Sequence, residues 1–293
     1  MDGQSIQDIS LIQDKVFNCE TIINNLKNAI KVAIKKVYSK KSFILNIITS
    51  EEKSQLFQDL DFLVDELVED EYKIHLELLQ DFSMVKENMF SKITALNNEE
   101  IVGGVYIDVL NSVLDNYESV IYSMVHPSKD VGAFNVVNTG LLFYEQQLLL
   151  SPLVSAVIKI LEQDKLSGKH IVIINKSSRF GKSLGITLLQ KGANVSILDN
   201  HMSDFKKICK NASIVVSAID EPLSLSSAML KKESVVIDIG DPFCHAANLI
   251  YSGAESIIKL YIRPDDIYEL KLLFILYNFL RVVFFNNKTL FEE

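Results

Sequence analysis

Residues 171–189 read IVIINKSSRFGKSLGITLL, and their pattern decides the fold. Four consecutive apolar residues, 171–174, predict a strand buried on both faces, as in a parallel sheet. A polar turn follows at once, made of Asn175, Lys176, Ser177, Ser178 and Arg179. Leu184, Ile186, Leu188 and Leu189 then predict a helix running back over the sheet. Strand, turn and helix aim unpaired backbone N–H groups and a positive helix end at one point, which suits a phosphate. Lys176, Arg179 and Lys182 add positive charge there. The fingerprint G-x-G-x-x-G is absent: Asn175 stands where a glycine is expected, and only Gly181 and Gly185 are near. The turn therefore reads equally as an anion site or as an ordinary strand-to-helix connection. Ser177 reads equally as a helix cap or a ligand contact.

Outward from this unit, strands are predicted at 194–198, 213–219 and 234–239, with short helices at 153–162 and 204–210. Strands at roughly twenty-residue intervals are what a nucleotide-binding sheet gives. In the first half, strands are predicted at 42–48, 73–79 and 103–110. Helices over 11–36, 50–67 and 84–96 alternate with them, Leu56, Leu60, Leu63 and Leu67 forming one stripe. The stretch 117–140 carries turn signals, and 265–285 is a final apolar helix. This alternation predicts an α/β fold in two domains. The first spans 1–145, the second, Rossmann-type, spans 146–265, and helix 265–285 packs back on the first.

Composition narrows the function classes. With 48% hydrophobic and 23% charged residues, the chain is globular rather than disordered. A net charge of −9 without a basic block argues against nucleic acid as the main partner. Cys19, Cys209 and Cys244 lie far apart and the five histidines form no ligand cluster, so neither a disulfide framework nor a metal site is expected. The polar start MDGQSIQDIS shows no signal peptide. Lys271, Asn278 and Arg281 interrupt the longest apolar stretch, which reads as a core helix rather than a membrane span. A cytoplasmic location is expected.

Several pieces taken together resemble the methylenetetrahydrofolate dehydrogenase/cyclohydrolase (FolD-type) family. They are Lys129-Asp130-Val131 with Phe134, Asn138 with Gly140 and Leu141, Ser151-Pro152, LSGK at 166–169, the stretch Ser177 to Gly181, and the strands ASIVVSAI and VVIDIG. The resemblance implies a folate-binding amino-terminal α/β domain beside a Rossmann-type NAD(P)-binding domain, usually in a homodimer. It implies oxidation of 5,10-methylenetetrahydrofolate by NADP or NAD and hydrolysis of the methenyl product.

Carried over residue by residue, the chemistry departs from the family. Phe57 and Asp61 stand where the family has a tyrosine and the central cyclohydrolase lysine, so an ammonium has become a carboxylate. Asp108, followed by Val109, Leu110, Asn111 and Ser112, replaces Gln-Leu-Pro-Leu-Pro. Gly132 takes the place of the second aspartate of Asp-Val-Asp-Gly-Phe, which holds the folate ring. Asp265, Asp266 and Ile267 after Pro264 replace a glycine-rich turn. On the nucleotide side Asn175, Lys176 and Ser177 replace Gly-Arg-Ser, and Asp241 replaces an apolar cofactor contact.

Each departure also has a plain structural reading. Phe57 suits packing in a helix stripe, and Asp61 and Asp108 suit solvated carboxylates or a new acid/base pair. Three functions follow: a divergent homologue with chemistry weakened or lost, an active dehydrogenase/cyclohydrolase with compensating residues, or a non-catalytic binding or scaffold subunit. An active enzyme needs a cation in the amino-terminal half, and Lys53 is the nearest substitute.

Overall fold

The computed structural model describes residues 9–37, 42–49, 54–68, 74–80, 86–108, 118–199, 204–219, 223–240 and 247–287. They divide into two compact units. One holds Ile22–Ser155 together with the chain from Lys271; the other holds Ala156–Leu270 together with the chain before Ile22.

The first unit is built on a parallel three-stranded sheet in the order β2-β1-β3, with β1 at Phe43–Thr49, β2 at Ile74–Gln80 and β3 at Val102–Asp108. α1 (Glu20–Val37) precedes the sheet, and α2 (Gln55–Leu67) and α3 (Lys86–Asn98) connect its strands. Parallel strands need such crossovers, which is why strand and helix alternate in the sequence. α2 buries Leu56, Leu60, Leu63, Val64 and Leu67, and the Ser54 hydroxyl starts it by accepting from the Phe57 N–H.

The run 117–140 is more regular than its turn signals predict. It contains α4 (Glu118–Met124) and α5 (Val136–Phe143), whose first turn is capped by Asn135. Asn135 also donates to the carbonyls of Ser123 and Val125, so one polar residue fastens both short helices. α6 spans Pro152–Leu161, with proline at its first position. The last helix, α9, spans Pro264–Asn286 (α7 and α8 lie in the second unit and are described below). Its Phe279 and Val283 lie against β3 where Gly103 and Gly104 provide no side chain. A Cβ on Gly104 would stand 2.8 Å from the Phe279 ring and 2.6 Å from Val131. The paired glycines therefore let the helix seat flat on the strand.

The second unit carries a parallel five-stranded sheet in the order β5-β4-β6-β7-β8. These strands are β4 (His170–Ile174), β5 (Asn194–Leu198), β6 (Ile214–Ser217), β7 (Ser234–Asp238) and β8 (Ile258–Ile262). β4 is buried along Ile171, Val172, Ile173 and Ile174, as its unbroken apolar run predicts. β8 has no counterpart in the sequence reading. IKLYI alternates only weakly and runs straight into Pro264, so no local pattern marks it as a strand. Between the strands lie α7 (Ser183–Gln190) and α8 (Phe205–Cys209).

The amino-terminal segment also departs from expectation. Instead of one helix over 11–36, a 3-10 helix at Ile9–Lys15 precedes α1, and Asn18 caps α1 by accepting from the Glu20 N–H. Ile12 is fully buried in the core of the second unit with Val172, Val215 and Val236, and Val16 bridges to Tyr261 of β8. Ile12 and Val16 thus belong to the second unit's core and sheet edge.

Candidate dinucleotide site and carboxylate edge

In the second unit's own chain order the strands run 2-1-3-4-5, so the winding reverses between β4 and β6. Doubly wound sheets bind ligands at the carboxyl ends of the strands at such a switch point. Asn175 sits there. Its Nδ2 donates to the Ala218 carbonyl just past β6, 3.0 Å away, and its Oδ1 accepts from the Ser177 N–H at 2.9 Å and the Ser177 hydroxyl at 2.7 Å. Ser177 Oγ in turn accepts from the Phe180 N–H at 3.2 Å. Asn175 thus ties the end of β4 both to the neighbouring strand end and to the turn by side-chain hydrogen bonds. Gly181 is required for a different reason: a Cβ there would stand 1.7 Å from the Asn175 carbonyl oxygen. This close approach brings the turn at Ser178–Lys182, a π-helical turn leading into α7, directly behind the end of β4.

Of the predicted residues, the turn brings together Asn175, Lys176, Ser177 and Arg179. Arg179 is half-buried and Lys176 is exposed. The Lys176 ammonium forms an ion pair with the carboxylate of Asp199, at the tip of β5. Asp199 was not singled out in the sequence. The available signal was an acidic residue closing the second strand of the unit, about twenty residues after the turn. Asp241 lies outside the described residues, as do Lys53 and residues 109–112.

At the end of β7 a second group escaped the sequence reading. Asp238 is fully buried and accepts from the N–H groups of Gly240, Asn248 and Leu249 and from the Tyr261 hydroxyl, at 2.9–3.1 Å. Desolvation outweighs these hydrogen bonds and pushes its carboxyl up to about 6. Gly240 follows at a φ of 71°, a conformation glycine adopts without strain.

The other predicted residues lie in the first unit. Phe57 and Asp61 are four residues apart on α2, Phe57 half-buried and Asp61 exposed. Asp108 ends β3, and the partner found for it is a cation: Lys271 Nζ lies 4.0 Å from its Oδ1. Lys271 comes from α9, more than a hundred residues away in sequence, so spacing gave no hint of it. The 130–134 turn is compact. Buried Asp130 accepts from the Asn135 N–H at 2.7 Å and from Asn138 Nδ2 at 2.9 Å. A Cβ on Gly132 would stand 2.5 Å from the Phe134 ring, which packs edge-on against Tyr122 at 5.0 Å. Gly132 is thus set by the Phe134 ring as well as lacking a carboxylate.

Residues 152–252 match the family model described as the tetrahydrofolate dehydrogenase/cyclohydrolase NAD(P)-binding domain. Over these residues the chain is similar to the FolD-type family. It is 32% identical over 171 residues to the bifunctional protein FolD of Caldicellulosiruptor saccharolyticus, an alignment covering 56% of this chain and 61% of that protein. Against the Mesoplasma florum FolD the figures are 32% over 178 residues, 59% and 61%. The matched region thus spans about three fifths of these relatives.

The fold likeness runs further. The bifunctional 5,10-methylenetetrahydrofolate dehydrogenase/cyclohydrolase of Thermoplasma acidophilum superposes with a TM-score of 0.80 at 20% identity, covering 94% of this chain and all of that one. The Trypanosoma brucei FolD, solved with NADP cofactor and an inhibitor, gives 0.80 at 18% identity, with 92% and 97% covered. Both support the two-domain α/β architecture of FolD enzymes. No helix among the described residues is long and apolar enough to cross a membrane.

Proposed function

We propose that the chain is a divergent homologue of bifunctional methylenetetrahydrofolate dehydrogenase/cyclohydrolase that binds an NAD(P) dinucleotide and a folate-type small molecule, with its hydrolytic chemistry weakened or lost. The dinucleotide is placed at the β4–β6 switch point. The family match of residues 152–252 and the donor set of the turn support this. Asn175 and Ser177 hold the turn against the end of β4, Arg179 and Lys182 bring positive charge, and Asp199 offers a carboxylate at the neighbouring strand tip. The dinucleotide, when bound, supplies a hydride acceptor. A homodimer and a cytoplasmic location belong to the same reading.

The observation that carries the weakened chemistry is Asp61, an exposed carboxylate on α2 where the family resemblance calls for an ammonium. A carboxylate disfavours a developing negative charge and cannot stand in for a protonated amine near neutral pH. Gly132 removes the carboxylate that would orient the folate ring. A second reading, an active enzyme with a relocated cation, is favoured by Lys271 beside Asp108. Hydrolysis of methenyltetrahydrofolate followed by absorbance separates the two. A parent rate at the buffer background supports loss, whereas a substantial rate abolished by Lys271→Ala supports relocation. Isothermal titration with NAD⁺ and with NADP⁺ tests the dinucleotide; heat of binding to neither would remove that half of the proposal.

A further inference from the structure

The tip of β5 sits next to the tip of β4 through the register Ile174↔Leu198, so Lys176 and Asp199 face each other beside the switch point. Their ion pair is solvent-accessible, with side-chain exposures of 65% and 29%, so it contributes little to folding. Its placement is more informative than its strength. An acidic side chain at this strand tip accepts hydrogen bonds from the hydroxyls of an adenosine ribose, whereas a 2′-phosphate there needs an unencumbered cation. Lys176, the candidate cation for such a phosphate, is already neutralised by Asp199.

We infer that Asp199, by occupying Lys176 and presenting its own oxygens to the ribose, makes this chain select NAD⁺ over NADP⁺. The inference rests on the proposed dinucleotide site and names its ligand. The physical argument is one of charge and hydrogen-bond type. A ribose diol has two O–H donors and an ionised carboxylate is acceptor-only, so the two match. A phosphomonoester carries about −1.5 to −2 charge at neutral pH and is itself an acceptor, so it meets Asp199 with repulsion and without a donor. Lys176 can turn to the phosphate only by leaving Asp199 bare beside it. Like-charge juxtaposition of this kind is a common device for excluding a wrong partner.

The test is isothermal titration of the purified full chain with NAD⁺ and, separately, NADP⁺, for the parent, Asp199→Ser and Lys176→Ala, each checked for an unchanged thermal midpoint. The parent should bind NAD⁺ at least about tenfold more tightly than NADP⁺. Asp199→Ser should weaken NAD⁺ and strengthen NADP⁺, closing or reversing the gap, because Lys176 is released. Lys176→Ala should weaken NADP⁺ further and so widen the gap between the two nucleotides. Equal affinity for the two nucleotides in the parent, a preference for NADP⁺, or a ratio unmoved by Asp199→Ser would overturn the inference while leaving dinucleotide binding standing. Binding of neither nucleotide by the folded parent would overturn both.

Discussion

Lys271 Nζ stands 4.0 Å from Asp108 Oδ1, joining the last helix to the carboxyl end of β3. The pair brings an ammonium to the edge of the first sheet from outside the amino-terminal half of the sequence, where Lys53 is the nearest candidate. Both groups are partly exposed, so the pair's contribution to stability is modest, within about 1 kcal/mol. Lys271→Ala should therefore leave the chemical-denaturation midpoint nearly unchanged, and any hydrolase activity found in the parent should fall with it. A large loss of stability would instead assign Lys271 a structural role.

The Asn175 side chain makes the contacts that shape the turn, reaching from β4 to the Ala218 carbonyl and to Ser177. Asn175→Ala removes both tethers, each net hydrogen bond being worth about 1 kcal/mol. Dinucleotide affinity measured by titration should drop about tenfold, with the fold retained by circular dichroism. Unchanged affinity would place the ligand elsewhere.

Ala133 adopts a φ of 54° in the turn between Asp130 and Phe134. This left-handed conformation costs an L-residue about 1–2 kcal/mol, and a glycine escapes the cost. Ala133→Gly should raise stability by roughly 0.5–1 kcal/mol after the greater chain entropy of glycine in the unfolded state is counted against it. Gly132→Asp should lower it, because its Cβ would meet the Phe134 ring at 2.5 Å. Urea melts of the two variants should therefore move in opposite directions. The same clash means that restoring a folate-anchoring carboxylate at 132 requires Phe134 to move first.

Burial raises the carboxyl of Asp238 from its ordinary 3.8 to about 6. The folded protein therefore binds this proton more tightly than the unfolded chain does. Its stabilising contribution is complete below about pH 4 and is lost as pH rises through about 6. Buried Asp130 is raised in the same direction, again chiefly by desolvation. Denaturant midpoints of the parent and of Asp238→Asn, compared between pH 4 and 6, should show a smaller decline with pH in the variant. The variant should also be less stable throughout, since an amide NH₂ would face N–H donors. An identical pH slope in both proteins would contradict the assignment.

How much of this was legible in the sequence depended on whether the determining contact was local. β4 was readable because four adjacent β-branched residues closed by a polar turn suit a doubly buried strand, and α2 because its leucines recur at helical spacing. β8 was not, since a five-residue strand with weak alternation gains its identity from pairing with β7. The amino-terminal segment misled for the same reason: Ile12 is placed by the second unit's core. Among site residues, Asn175, Lys176, Ser177 and Arg179 share one turn and could be found together. Asp199 and Lys271 are brought to their partners by sheet register and by the last helix; Asp199 carries a local signal, its place at the end of the unit's second strand, and Lys271 carries none. Gly132 read as a missing carboxylate, but its neighbour Phe134 supplies a packing reason that only the fold reveals.

The central claim, that the FolD-type fold is kept here with its hydrolytic chemistry weakened or lost, is tested most directly by the rate of methenyltetrahydrofolate hydrolysis. General acid–base help of the kind a positioned ammonium gives is typically worth about 10²–10⁴-fold. With Asp61 in that place, the purified chain should hydrolyse the compound at close to the buffer rate across neutral pH. A rate matching that of an intact family enzyme under the same conditions would contradict the claim.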